Sequence, residues 1–224
     1  MDTKAFLGIE PTGIHTATNG QWSMVVRPGL VTGGNFLWGG CGLAAAVAAI
    51  EELSGRTCVW ATAQYLSYAR TGETMDVDVT LAVVGHQITQ ARAVCRVGDR
   101  EILTVNAAVG ERPFEYAHSF VKMPDVPPPS ALKQRAHRSD VSNTIHEKME
   151  ERFVIGRELE ELDEIPNDGR TLMWARIPDV IDGVDTATLA VLGDFVPMGV
   201  GQALGIRGGG NSLDNTLRVV RLVP

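Results

Sequence analysis

An aspartate stands in the middle of an apolar run with helical spacing, "TLAVLGDFVPMGVGQALG" at residues 188–205. Burying a carboxylate is costly unless something pairs with it or uses it. Asp194 is therefore the first candidate for chemistry: in a largely apolar pocket, a carboxylate can take a proton from water as a general base. Downstream, "NSLDN" adds a hydroxyl at Ser212 and a carboxylate at Asp214, which can equally bond a nearby backbone N–H. Pro197 cannot donate to the carbonyl of Gly193. The helix should therefore open or kink beside Asp194 and turn it toward a cleft.

Other groups carry less. His15, His86, His118, His137 and His146 share no metal-binding spacing, so no metal is expected. "GIRGGGNS" lacks the Lys-Ser/Thr ending of a phosphate loop and runs into a strand, so it reads as a connector. Glu51 and Glu52, at the end of an earlier helix, read as a solvated face. No carboxylate lies earlier in that helix, which points to one reactive centre rather than two.

These residues need a scaffold. "TATNGQWSMVVRPG" reads as a hairpin broken at Asn19-Gly20 and closed by Pro28-Gly29. "FLWGGCGLAAAVAAIEELSG" reads as a helix, apolar nearly all round, opening on Gly39-Gly40 and capped by Gly55. Four strands follow, at "TCVWATAQYLSYA", "TMDVDVTLAVV", "QITQARAVCRV" and "EILTVNAAV", the last two flanking a Gly98-Asp99 turn. Residues 111–150 are rich in proline and charge and read as a linker, with room for a short helix at "ALKQRAHR" or "TIHEKMEERF". The layout then repeats in brief. Strands are expected at "RFVIGRELEEL" and "TLMWARIPD", then a helix from an Asp185 or Thr186 cap to Gly205, then one strand, "SLDNTLRVVRLV".

The chain has 224 residues and a formal net charge of −7. That acidity argues against a general nucleic-acid or membrane-surface binder, both of which need a basic face. The start lacks the apolar core of a signal peptide, and "LAAAVAAI" is too short to span a bilayer, so no membrane insertion is expected. Cys41, Cys58 and Cys95 are odd in number and lack metal-ligand spacing, which suits reduced thiols in the cytoplasm.

"GNFLWGGCGLAAAVAA", the two-part layout and "LAVLGD…GGGNSLDNTLRVVR" together resemble the acyl-CoA thioesterase II family over nearly the whole chain. The resemblance implies an α+β double hotdog, with curved antiparallel β-sheets each wrapped round a long central helix. Residues 1–112 would form the N-terminal unit, 113–150 a linker, and 151–224 a second unit left incomplete, with one strand after its helix before Pro224. The implied catalytic pair is Asp194 and Ser212. The family's glutamine near the chain end has no counterpart, and its histidine after Ser-Leu-Asp is Asn215 here. Substrate contacts are expected at Gly39, Gly40 and Gly193, although Gly39 and Gly40 can equally serve only close packing.

The implied reaction is hydrolysis of acyl-CoA to fatty acid and coenzyme A, with no cofactor. Arg70, Arg92, Arg207 and Arg218 are candidates, by residue type, for the coenzyme A phosphates. The alternative is a non-catalytic acyl-CoA-binding or scaffold protein of the same fold. A hydratase would carry histidine five positions after its aspartate, where Gly199 stands. Exposed sheet edges imply a homo-oligomer.

Overall fold

The computed structural model describes residues 1–114, 118, 120, 122–135, 142–180, 183–207 and 210–222. The alanine-rich segment forms α2 (Gly39–Ser54), capped by Gly55 in the left-handed conformation, where only glycine is free of strain. Every residue from Gly40 to Ile50 is buried. Burial on all sides needs a cover on all sides, and a seven-stranded antiparallel sheet supplies most of it.

The sheet order is β1 (Ile9–Thr12), β2 (Asn19–Val25), β4 (Thr74–Val84), β5 (Ile88–Val97), β6 (Arg100–Gly110), β3 (Cys58–Tyr65) and β9 (Asp214–Arg218). α2 touches β2 through β6, so the sheet curls round it. Register shifts at Cys58/Trp60, Leu81/Val83 and Cys95/Arg96 help it bend. Met75, Val77, Val79 and Leu81 of β4 alternate inward against the helix, as their period requires. The β5–β6 turn falls at Gly98, with φ +57°.

The first hairpin differs from expectation. Asn19-Gly20 begins β2 instead of breaking it, and the partner strand is upstream at Ile9–Thr12. Gly20 is needed for a different reason: a Cβ there would lie 2.7 Å from the ring of the buried Trp22.

The second half does not stand apart from the first. β9 extends the first sheet by pairing with β3, and α3 (Thr186–Leu192) packs on α2. Asp185 caps α3 by accepting the Thr188 N–H at 2.6 Å, and also accepts from Thr3 Oγ1 at 2.9 Å, next to α1 (Thr3–Leu7). The last part of the expected linker is core, since Ile145 and Met149 are fully buried. "TIHEKMEERF" forms a 3-10 turn (Ile145–Lys148) and then β7 (Glu150–Ile155), not a helix. β7 pairs with β8 (Leu172–Arg176), and the end of the longer strand expected here is a 3-10 turn, Leu159–Glu161. "ALKQRAHR" and "IRGGGN" lie partly outside the described residues.

The second helix is two. α3 ends at Gly193 and α4 (Val196–Leu204) begins after Phe195. Pro197 lies in the first turn of α4, where its missing N–H has no intrahelical partner to lose, so it starts a helix rather than kinking one. By composition Thr186–Leu204 is apolar enough to cross a membrane. The stretch breaks at Asp194, and its first part, α3, docks on α2.

Candidate functional site

Asp194 occupies the break between the two helices. It is 6 % exposed. Its Oδ2 accepts the Gly40 N–H at 2.9 Å, so the carboxylate sits on the first turn of α2. That N–H is one of the donors a helix start leaves unpaired, and it carries the positive end of the helix dipole. Two glycines make the approach possible. A Cβ on Gly39 would lie 2.7 Å from Asp194 Oδ2, and one on Gly40 would lie 2.6 Å from the Ala190 carbonyl oxygen. Trp38 Nε1 donates to the Val191 carbonyl at 2.9 Å and fixes the same junction.

Burial raises the Asp194 carboxyl to about 6, while the Gly40 N–H and the Asn215 amide pull it back down. Asp194 is therefore ionised at neutral pH yet basic enough to accept a proton. Burial and the Asp194 charge push the neighbouring Cys41 thiol far up, which leaves it inert as a nucleophile.

The residues named from sequence divide. Gly39 and Gly40 meet Asp194, but the Gly40 N–H is spent on the carboxylate. Gly193 is exposed and does not line the adjoining cavity. Ser212 is half-buried, makes no hydrogen bond among the described residues and precedes β9. Asn215 is the β9 residue beside Asp194. Strand parity explains this: Asn215 and Leu217 are half-buried on one face, while Asp214, Thr216 and Arg218 are exposed on the other.

A cavity of about 540 Å³ opens from Asp194 between Trp38, Phe195, Pro197 and Met198. Trp38 packs in T-shaped contacts with His146 and Phe195, at 5.2 and 5.6 Å between ring centres. Two polar residues of the lining, Arg135 and His146, come from the segment expected to be a linker, and Glu151 stands just beyond it. Glu151, 2 % exposed, accepts from Arg135 Nη1 at 2.7 Å and lies 3.5 Å from His146 Nδ1. Burial works against that charge, but His146 and Arg135 hold the carboxyl below its usual range. No local motif marks this trio, which comes together only through the fold. Arg207 also lines the cavity, whereas Arg70, Arg92 and Arg218 are exposed away from it. Gln202 clasps the Arg157 backbone, accepting its N–H at 2.6 Å and donating to its carbonyl at 2.8 Å. Glu51, expected in solvent, is half-buried and accepts from Thr186 Oγ1 at 2.5 Å and from the Cys58 N–H at 2.6 Å. Burial raises its carboxyl.

No protein-family model matches the chain, and neither does any curated protein sequence. Solved structures do. A conserved protein of unknown function with hotdog fold from Alicyclobacillus acidocaldarius superposes with TM-score 0.79 at 18% identity, over 95% of this chain and 76% of its own. The chain has the hotdog fold. A candidate thioesterase from Novosphingobium aromaticivorans is similar at 29% identity, with TM-score 0.77, over 93% of this chain and 80% of that protein. An acyl-CoA thioesterase II from Mycobacterium marinum matches with TM-score 0.61 at 16% identity, over 89% and 71%. The chain thus resembles the thioesterases among hotdog proteins. In hotdog terms α2 is the central helix, and Asp194 reaches its first turn from outside the unit that the sheet wraps.

Proposed function

We propose that this protein is a thioester hydrolase that cleaves acyl-CoA with a water activated by Asp194. One observation carries the reading: a buried carboxylate, raised to about 6 and seated on a helix start, opens onto a largely apolar cavity of about 540 Å³. Such a cavity suits an acyl chain. Asp194 takes a proton from water as the water oxygen bonds to the thioester carbon, and the carbonyl electron pair moves onto oxygen. Collapse of that intermediate breaks the C–S bond. The thiolate, a good leaving group with an ordinary pKa near ~8.5, recovers the proton from Asp194. The likeness to hotdog thioesterases supports this reaction class.

The same reading takes α3, α4, β7, β8 and β9 as parts of a second hotdog unit that shares its sheet with the first. Three buried free thiols suit a cytoplasmic setting. Among the described residues, the outer edge of β9 has no partner strand, which favours pairing with a further strand or a second copy. A homo-oligomer by light scattering is the expected result.

Release of free thiol from a series of acyl-CoA esters tests the reaction. Asp194→Asn should lower kcat about 10²- to 10⁴-fold. The wild-type kcat/KM should rise tenfold per pH unit up to about 6 and then level off, because only the ionised carboxylate accepts a proton. Wild-type rates in the Asn variant would sink the mechanism. Ser212 makes no hydrogen bond to Asp194 among the described residues, which favours a second reading, acyl-CoA binding without turnover. It would appear as saturable binding with no thiol release.

A further inference from the structure

A buried ion pair stands on the wall of the largely apolar cavity. Glu151 is 2 % exposed, and both of its oxygens are taken: Oε2 accepts from Arg135 Nη1 at 2.7 Å, and Oε1 lies 3.5 Å from His146 Nδ1. An ionised carboxylate only accepts, so the His146 nitrogen that faces it carries the hydrogen. In the neutral ring the other nitrogen, Nε2, is then a bare acceptor. Nε2 makes no hydrogen bond among the described residues, and it is not sealed from solvent. The side chain keeps 29 % of its surface exposed and lines the cavity.

The ring is held in place from several sides. Ile145 and Met149, which flank it in the chain, are fully buried, and the Ile145 N–H donates to the Val31 carbonyl at 2.9 Å. Trp38 meets the imidazole at 5.2 Å between ring centres, and Phe195 meets it at 6.4 Å. Phe195 directly follows Asp194, and both line the cavity with His146. An acyl chain in this cavity therefore passes a fixed acceptor. A plain alkyl chain strips water from Nε2 and offers nothing in return, whereas a hydroxyl on the chain donates to it. We propose that His146 is a specificity-determining residue, and that the substrate class is acyl-CoA whose acyl chain carries a hydroxyl group. The inference rests on the hydrolase reading above and deepens it. The contact is a hydrogen bond only; the bond-breaking steps stay with Asp194.

The test compares thiol release from acyl-CoA esters of equal chain length, one saturated and the others carrying a single hydroxyl at successive carbons, at about pH 8, where free imidazole is neutral. One hydroxyl position should raise wild-type kcat/KM roughly 10- to 100-fold over the saturated chain, because the acceptor is fixed and is left unpaired by the alkyl chain. A methyl ether at that carbon cannot donate and should lose the preference. His146→Phe should bring the hydroxylated and saturated esters within about twofold of each other. Reading a ratio within one protein cancels damage common to both substrates, and the wild-type comparison stands even where the Phe variant does not fold. A wild type that releases thiol at equal rates from all these esters overturns the proposal and leaves the hydrolase reading intact. So does a Phe variant in which both rates fall together and the ratio stays, which would place the His146 contact on the coenzyme A part or in the fold. A methyl ether as good as the hydroxyl also overturns it. A wild type that releases no thiol from any acyl-CoA overturns both.

Discussion

α2 and the α3–α4 pair are both glycine-containing apolar helices, yet they do opposite work. α2 runs unbroken from Gly39 to Ser54, carries no charge before Glu51, and is covered by five strands and by α3. α3 and α4 are interrupted by Gly193, Asp194 and Phe195, and α4 leaves Val196, Val200 and Leu204 largely in solvent. Complete cover admits only small, uncharged residues, because every backbone bond must close within the helix and no charge can be solvated. Partial cover permits a break. At that break a carboxylate can be buried on one side by α2 and open on the other to a cavity. The difference teaches that the charge sits where the packing stops, not where it is densest.

The most direct way to break the comparison is to disturb the line where the two helices meet. In Gly40→Ala the new Cβ would press on the Ala190 and Val191 carbonyl oxygens at 2.6 and 2.9 Å, both of them backbone. α3 must then move off α2, carrying Asp194 with it. We expect a loss of about 3 kcal/mol, at the upper end of overpacking effects, measured by urea unfolding. Loss of thiol release should accompany it. A Gly40→Ala variant as stable as the wild type would mean that the contact of the two helices is loose.

The second way sharpens it. Asp194 is the charge that α2 could not hold, and it should cost the fold stability. Its carboxyl lies at about 6 when folded against an ordinary 3.8, so the folded state binds the proton more tightly. Stability from this group is whole below about pH 4, declines as pH rises, and is gone above about pH 6. Asp194→Asn should therefore gain little at pH 4 and up to about 3 kcal/mol at pH 8, read from unfolding curves at the two pH values. The inactive variant would be the more stable one. Equal gains at both pH values would show that the ionised carboxylate is not strained by burial.

The two helices also differ in how far sequence reveals them. α2 is legible because its pattern is local: an alanine-rich body, glycines at the start, a left-handed glycine at the end. The β4–β6 meander is legible from alternation and the turn at Gly98 for the same reason. Asp194 is conspicuous as a lone carboxylate in an apolar run. Its partners are not, because each comes from far along the chain. Gly40 lies 154 residues away. Asn215 meets it on β9, which pairs with β3 in a register that sets Ala63 opposite Asn215. Ser212 lies before β9, outside the pairing that carries Asn215, and the strand's first residue is not marked locally. Glu51 misled for a similar reason: Thr186, its partner, is 135 residues downstream. Of the cavity's Arg135, His146 and Glu151, the first two lie in a proline-rich stretch that looks like a linker by composition, and Glu151 stands just beyond it.

The smallest expected effect tests the comparison with the same chemical change placed in the other helix. Gly199 lies inside α4, where its N–H donates to the Phe195 carbonyl at 3.1 Å in the ordinary helical pattern. An added Cβ there meets no atom within 4 Å. Alanine loses less backbone freedom than glycine on folding and strains nothing at this position. Gly199→Ala should therefore stabilise by about 0.5–1 kcal/mol, raising the thermal midpoint by about 2 °C. The sign is opposite to that expected for Gly40→Ala, although both add one methyl to a glycine near a helix start or middle. The reason is cover: α2 meets the backbone of α3 at Gly40, while α4 meets open space at Gly199. A loss of stability in the Gly199→Ala variant would mean that α4 is as tightly enclosed as α2, and the contrast between a packing helix and a presenting helix would fail.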